Sequence, residues 1–288
     1  MANTVTYNKH DYVVKLRERL NLPVNWADIL KVKYSDVRTI VNSRLSTEPA
    51  DTGGTRGTAA TLVDFALTAD TLTIDTYRDL FVFVDEADRH QQSYVDQMYM
   101  ADYQGRKLSE RVETAWLAEH ASWTNFGVTD LAGGAADDTS VITVSSTNID
   151  DIIRAVKRKI FANNGIEAYI ERGLGFVWRA KDWEILEGFA QANGYTMADS
   201  ALKSGVPMGF HYLGADHYIS TSHAANHLYA GVKRSGDLGI LRSTWGRVKF
   251  IENPLDRSGL GMFARADYGF VWPGGTLAQL NVDINVAT

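Results

Sequence analysis

The stretch EADRHQQSYVDQMYMADYQGRKLSERVETAWLAEHASW, residues 86–123, decides how this sequence is interpreted. It contains no proline, and apolar residues recur in it at helical spacing: Tyr94, Met98, Ala101, Leu108, Val112 and Ala115. This periodicity predicts one amphipathic helix, with Gly105 in register where the stripe is interrupted. Such a helix would be about 57 Å long, against roughly 50 Å for the diameter of a compact globule of this chain length. The sequence therefore predicts an elongated subunit, whose extra surface is typical of a protein that packs against neighbours.

Composition limits the classes of protein to which the chain can belong. It has 288 residues, of which 45% are hydrophobic and 22% charged, with a net charge of -6 and no cysteine. This is an ordinary globular composition, and the chain is long enough to bury a sizeable core. The lack of cysteine excludes disulfides, thiol nucleophiles and cysteine-ligated metal sites, and it fits synthesis in a reducing cytoplasm. The sequence shows neither a signal peptide nor a membrane span, so we expect no membrane partner.

Charge is distributed unevenly along the chain. Residues 1–40 carry 7 Lys and Arg against 4 Asp and Glu, whereas residues 41–150 carry 7 against 18. A basic tail beside an acidic middle indicates either a contact between the tail of one copy and the body of another, or a plain solvated acidic surface. The negative net charge argues against a dedicated nucleic-acid-binding protein, which would carry a strong basic stripe.

The segments around the predicted helix alternate between loops, helices and strands. Residues 46–60 are rich in Gly, Thr and small side chains, which is typical of a hairpin tip, and the Thr-rich residues 61–77 predict an extended strand. The other predicted elements are a helix near 12–20 followed by irregular sequence to residue 40, a strand over 141–145, a helix over 149–163 capped by Asn148, a strand over 175–179, a helix over 182–190, and strands from residue 245 onward. The fold class is therefore α+β, one body with a projecting arm and loop.

The sequence assembles no nucleophile, base and orienting group. Asp51-Thr52-Gly53 matches the aspartic-protease triplet, but it lies in a polar loop rather than at the end of a buried strand, so we reject it. His211, His217, His223 and His227 lie close together in the sequence. The last two have the spacing that places two imidazoles on one helix face, although no glutamate base lies between them. We predict no enzyme, no metal and no cofactor, and a histidine-dependent metalloenzyme centred on 211–227 is the alternative from another class.

The order of elements resembles that of the major capsid proteins of tailed bacteriophages, which share the Hong Kong 97-type fold. An arm, a small-residue loop and a long spine helix come first. NIDDIIRAVKRKI (148–160) and GFVWRAKDWEIL (175–186) are similar to the family's axial-domain passage, although its usual proline is absent from residues 179–183. SGVPMGFHYLGADHYIST (204–221) and ARADYGFVWPGGTLAQLNV (264–282) resemble later strands of that family.

The resemblance implies a division of the chain into five parts. These are an N-terminal arm (1–40), an extended loop (41–80), a peripheral domain with the spine helix (81–147), an axial domain (148–240) and return strands of the peripheral domain (241–288).

It also implies a structural protein of the virion capsid, synthesised in the host cytoplasm. Identical subunits would form hexamers and pentamers that close into an icosahedral shell around double-stranded DNA, held without sequence specificity. The implied partners are further copies of the chain, a separate scaffolding protein, a portal and, as a further candidate, a cement protein. An encapsulin-like cargo compartment is the alternative within the same fold.

Five residues are predicted to lie at contacts between subunits: Lys15, Arg17, Arg19, Asp51 and Arg56. The basic residues of the arm would meet acidic surface on an adjacent subunit. Some members of the family cross-link subunits through a lysine of the extended loop. No lysine lies between Ser43 and Arg106, so a cross-link donated by this loop is chemically excluded here.

Overall fold

The structure of the chain is a computed structural model. It describes residues 9–21, 25–45, 67–89, 94–133, 137–163, 165–193, 210–254, 258–273 and 279–287. The predicted hairpin tip at 46–60, with Asp51 and Arg56, lies outside the described residues.

The described residues form short and medium helices and thirteen strands. The helices are α1 (Lys9–Leu20), α2 (Asn25–Ile29), α3 (Glu86–Arg89), α4 (Tyr94–Leu117), α5 (Val128–Leu131), α6 (Ile149–Ala162), α7 (Ile166–Arg172) and α8 (Ala180–Ala192), with a 3-10 turn at Ala118–Ser122. The strands are β1 (Lys31–Ser35), β2 (Thr39–Leu45), β3 (Leu67–Thr73), β4 (Thr76–Asp85), β5 (Thr124–Phe126), β6 (Leu174–Trp178), β7 (Phe210–Tyr212), β8 (Ala215–Ile219), β9 (His227–Val232), β10 (Asp237–Leu241), β11 (Arg247–Glu252), β12 (Gly259–Val271) and β13 (Asn281–Asn285).

Two large sheets, each with its own hydrophobic core, organise the described residues, and β2 and β3 form a third, two-stranded sheet. In the five-stranded sheet, the long β12 pairs with β4 along one edge and with β11 and β10 along the other, and β1 adds in parallel to β10. Helices α1 and α4 cover this sheet and share its core. The six-stranded sheet has the order β5-β13-β9-β6-β8-β7, and α6 and α8 pack on it around the second core.

The division of the chain into five parts stays a prediction. β10, which lies in the predicted axial part, pairs with β1 and β12 in the five-stranded sheet. β13, which lies among the predicted return strands, pairs with β5 and β9 in the six-stranded sheet. Both pairings join strands that are distant in the sequence, so no local pattern could indicate them.

Within the described residues, the predicted 86–123 helix corresponds to α3 and α4, and α4 ends at Leu117. α4 covers 24 residues, which corresponds to about 36 Å, and it ends in the 3-10 turn. The turn redirects the chain so that Trp123, 5% exposed, packs edge-on against Tyr229 of the six-stranded sheet. The helix length on which the prediction of an elongated subunit rested is therefore not reached by α4.

Three other local predictions need correction. Residues 25–35 were predicted to be irregular, but they form α2 and β1, with Trp26 and Ile29 buried. The strand predicted over 141–145 is a single bridge between Ile142 and Val286. Asn148 does occupy the N-cap position of α6, but its side chain makes no capping bond, because its Oδ1 accepts from the Ser145 backbone N–H at 2.9 Å.

Helix α1 packs directly along α4. Tyr12, Leu16 and Leu20 are fully buried on one face of α1, and the Tyr12 hydroxyl donates to Oε1 of Gln104 at 2.8 Å. Gly105 lies at the closest approach, where a Cβ would stand 2.7 Å from the backbone oxygen of Leu16. Gly105 interrupts the apolar stripe because α1 occupies the space that a side chain would need.

We expect Gly105→Ala to destabilise the fold despite the better helix propensity of alanine. Overpacking against the Leu16 backbone should cost about 1–3 kcal/mol, more than the roughly 1 kcal/mol that alanine contributes to a helix. Gly188→Ala in α8 is the matched control, since nothing lies within 4 Å of its Cβ position. The free energy of unfolding, measured with urea, should fall in Gly105→Ala and rise in Gly188→Ala relative to the wild type. Equal stabilisation by both substitutions would contradict the close contact between α1 and α4.

Candidate subunit-interaction surface

The hairpin of β2 and β3 is a separate two-stranded sheet. Its strands pair with each other from Thr39↔Thr73 to Leu45↔Leu67, and no other described strand pairs with them. Val41 is 61% exposed on this ribbon. A two-stranded ribbon with open edges is marginal alone and offers backbone groups for a further contact. Within the described residues, the extended loop predicted over 41–80 contains most of this hairpin.

The base of the hairpin is fixed firmly to the body. Leu72 and Ile74 are 0% and 2% exposed, and they face the paired glycines Gly239 of β10 and Gly269 of β12. A Cβ at Gly269 would stand 2.0 Å from the backbone oxygen of Thr73. These two glycines form a groove, here called the glycine groove, in which the hairpin base lies.

An apolar stripe runs along the exposed face of α4. Val95, Tyr99 and Tyr103 recur at intervals of four residues and are 54%, 70% and 46% exposed. Arg106 and Lys107 approach the Tyr103 ring from the next turn, each 5.9 Å from its centroid. Large apolar side chains lined up on one helix face are typical of an interaction surface rather than of solvent-exposed helix. We call Val95, Tyr99 and Tyr103 the α4 stripe.

The basic residues predicted at subunit contacts have partners within the chain. Lys15 pairs with Glu18 at 3.2 Å, Arg19 Nε lies 3.5 Å from Asp102 Oδ1 on α4, and Arg17 donates to the backbone oxygen of Gly246. The Lys15 pair and the Arg19 pair are each more than one-third exposed, so they contribute little to stability. A contact of these residues with a neighbouring subunit stays a prediction.

The four histidines at 211–227 do not converge on one point. His211 is exposed and contacts Asp216, while His217 is buried, accepting from the Trp178 indole at 2.9 Å and contacting the Tyr212 backbone oxygen at 3.1 Å. His223 precedes β9 and His227 begins it, so these two do not share a helix face. Burial lowers the pKa of both His217 and His223 to about 4. His217 is therefore a neutral core group at neutral pH, and the half-buried His223 is neutral there as well.

One histidine of the group joins a cluster that the sequence did not indicate. His227 Nδ1 lies 2.8 Å from the buried carboxylate of Asp283 on β13, and His120 from the 3-10 turn stacks on His227 with ring centroids 3.7 Å apart. Burial raises the pKa of Asp283, and the two imidazoles oppose that shift. The three residues come from distant segments, so no spacing in the sequence could predict them.

This cluster offers three potential metal ligands within 4.8 Å of one another. The two rings are nearly parallel, at 16°, whereas a ligated ion must lie in the plane of each imidazole that binds it. One ring would have to turn before both could bind one ion. As placed, the residues join the end of α4 to the six-stranded sheet.

Among the described residues, no helix is long and apolar enough to cross a membrane.

Comparison with known proteins identifies the fold. No protein-family model matches the chain, and no curated protein matches it. A solved structure of Mycobacterium phage Che8 matches with a TM-score of 0.60 at 16% identity, covering 92% of this chain and 97% of that chain. The capsid structure of the cyanophage P-SCSP1u matches with a TM-score of 0.58 at 13% identity, covering 92% and 89%. A virus-like particle from Pyrococcus furiosus matches with a TM-score of 0.58 at 10% identity, covering 96% and 98%.

The chain has the Hong Kong 97-type capsid fold. The fold class predicted from the order of elements is thus confirmed, although the identities are too low to transfer any individual residue's role. Both coverages are high, so the match includes both sheets and both cores of the Hong Kong 97-type fold described above. The β2–β3 hairpin and the exposed α4 stripe are therefore parts of a chain with the Hong Kong 97-type fold.

Proposed function

We propose that this chain is the major shell protein of a tailed-bacteriophage head. The observation that carries the proposal is the near-complete structural match, in both directions, to phage structures including a phage capsid. In this proposal the chain has a structural role and is not an enzyme. The protein would be made in the host cytoplasm and reside in the virion capsid.

In this proposal, identical subunits assemble as hexamers and pentamers that close an icosahedral shell around double-stranded DNA. A closed shell needs heterologous contacts, in which different surfaces of identical subunits meet. The hairpin and the α4 stripe provide two such surfaces on one subunit. The net charge of -6 suits a shell that must not hold the packaged DNA through many phosphate contacts. Scaffolding, portal and cement proteins complete the proposed set of partners.

The α4 stripe gives a direct test of assembly through this surface. We expect Tyr99→Asp with Tyr103→Asp to abolish particle formation, because the exposed apolar face of α4 would then be charged. The isolated subunit should keep its unfolding midpoint, since both side chains are about half exposed or more. Sedimentation and negative-stain microscopy of protein coexpressed with its scaffold measure the particles.

The control for this test is Tyr34→Asp, at a 48% exposed tyrosine outside α4. Normal particle yield from the double variant would exclude the α4 stripe from the shell contacts. Loss of particles from the double variant alone would assign the contact to α4.

The basic arm provides a second test. We expect Arg19→Glu to impair shell formation if Arg19 meets acidic surface on an adjacent subunit, as the sequence predicts. The intrachain pair with Asp102 is a competing explanation of any defect. The double variant Arg19→Glu with Asp102→Arg restores that pair within the chain. We expect particle yield to stay low in the double variant, and full recovery would contradict a contact of Arg19 between subunits.

The encapsulin-like compartment is not the favoured form of the shell, since phage structures predominate among the neighbours described. Purified particles separate the two functions. A phage head would contain double-stranded DNA after packaging, whereas a cargo compartment would contain protein.

A further inference from the structure

Asp283 differs from the other buried aspartates in its charged partners. Five aspartate side chains are buried within the described part of the chain. Four of them lie 2.6–3.0 Å from a lysine or arginine nitrogen, in the pairs Asp130–Lys159, Asp182–Arg179, Asp237–Lys33 and Asp267–Arg265. Asp283, whose side chain is 2% exposed, pairs instead with His120 and His227. A buried carboxylate is costly without a compensating positive charge, and a neutral imidazole supplies none.

The three side chains reach one point from three segments. His120 lies in the 3-10 turn after α4, His227 begins β9, and Asp283 lies on β13, which pairs with β9. One nitrogen or oxygen atom of each residue lies within 4.8 Å of those of the other two. The side chains of His120 and His227 are 28% and 26% exposed, so an ion can reach this point from solvent.

The distances approach those of a tetrahedral metal site. Asp283 Oδ2 lies 2.8 Å from Nδ1 of His227 and 3.8 Å from Nδ1 of His120. Zinc binds imidazole nitrogen and carboxylate oxygen at about 2.0–2.2 Å, which places neighbouring ligand atoms of a tetrahedron about 3.3–3.6 Å apart. One observed distance is shorter than this separation and the other is longer, each by at most about 0.5 Å. Two imidazoles and a carboxylate also form a ligand set that suits zinc better than it suits Mg²⁺ or Ca²⁺.

We propose that His120, His227 and Asp283 bind one Zn²⁺ ion, with water as the fourth ligand. The proton that His227 Nδ1 shares with Asp283 is released to solvent as the ion takes its place, and the charge of the ion compensates the buried carboxylate. His120 makes the adjustment that the nearly parallel rings require. Its Nδ1 lies beyond hydrogen-bond distance from Asp283, and the 3-10 turn that carries it has no buried residue, so its ring can turn toward the ion.

The ion would join the two cores of the subunit. Val112 and Trp116 of α4 belong to the first core, whereas Leu228 of β9 and Ile284 of β13 belong to the second. An ion shared by the three ligands would hold the end of α4 against β9 and β13. This proposal departs from the sequence, which predicts no metal. It is independent of the proposed shell function, because the site lies within a single chain.

Zinc titration of the unassembled full-length subunit, without an affinity tag, tests the proposal. After a chelator has been added and removed, calorimetry should show one Zn²⁺ bound per chain, and zinc should raise the midpoint of thermal unfolding. Hydrogen exchange of residues 118–123 should slow when zinc binds. Mg²⁺ at the same concentration should leave the midpoint unchanged, because it prefers an octahedral set of oxygen ligands. A wild-type subunit that binds no zinc would overturn the proposal.

Variants locate the ion. We expect His120→Ala and Asp283→Asn each to weaken zinc binding by about tenfold or more, since even the loss of a supporting partner of a ligand costs that much. Because His120 is partly exposed and its Nδ1 is 3.8 Å from Asp283, the zinc-free unfolding midpoint of His120→Ala should stay close to that of wild type. His211→Ala is the matched control, since it removes another histidine that lies 2.9 Å from an aspartate, and it should bind zinc like wild type. Equal zinc affinity in wild type and His120→Ala would place the ion elsewhere and overturn the assignment.

Discussion

Gly269→Ala should displace the hairpin from the body and destabilise the subunit by about 3 kcal/mol. The added methyl carbon would stand 2.0 Å from the Thr73 backbone oxygen, a separation that no rotamer change can relieve. Gly239, the other glycine of the glycine groove, gives a comparison in which a smaller loss of stability is expected. At Gly239 the nearest atoms are side-chain atoms of Leu72 and Ile74, at 2.9 and 3.1 Å, which can move.

Urea unfolding and hydrogen exchange of residues 67–73 measure the effect. We expect Gly239→Ala to lose clearly less stability than Gly269→Ala, and faster exchange in the hairpin of the Gly269 variant. Equal losses at both positions, with unchanged exchange in the hairpin, would mean that the hairpin base does not lie in the glycine groove.

Acidification should destabilise the subunit between pH 6.5 and pH 4. The pKa values of His217 and His223 are lowered to about 4 by burial, whereas unfolded histidine titrates near its ordinary value of about 6.5. The unfolded chain therefore binds more protons in this window, so stability is lost as the pH falls through it. At pH 5 each histidine should lower the free energy of unfolding by about 2 kcal/mol relative to pH 7.

The measurement is the free energy of unfolding of the unassembled subunit at pH 7 and pH 5, for wild type and for His217→Gln. The difference between the two proteins cancels the titration of the remaining groups, including Asp283. His211→Gln is the control for the loss of a histidine at an exposed position. A His217→Gln variant as acid-sensitive as wild type would contradict a neutral, buried His217.

Local periodicity explains which parts of the fold could be predicted. The helices α4, α6 and α8 carry apolar residues at helical spacing, and the strands after residue 245 carry β-branched and aromatic side chains, so each was predicted near its true position. Residues 25–35 were missed because α2 and β1 are each only five residues long, and β1 is stabilised by pairing with the distant β10.

The contacts at the candidate surface also depend on tertiary packing, which local sequence patterns do not show. Gly105 was noticed as an interruption of the stripe, but its reason, the approach of Leu16 from α1, depends on tertiary packing. The His120–Asp283 contact and the Lys33–Asp237 pair join residues more than a hundred positions apart. The sequence shows which residue types are present, but it does not show that these residues lie close together in the fold.

Imaging of the assembled protein tests the central claim most directly. The chain, coexpressed with the other head proteins of its source, should yield closed particles whose reconstruction contains five-fold and six-fold capsomers of this subunit. In each capsomer the hairpin and the α4 stripe should be covered by neighbouring copies. Subunits of about 32 kDa that stay monomeric under these conditions, with both surfaces free, would contradict the account.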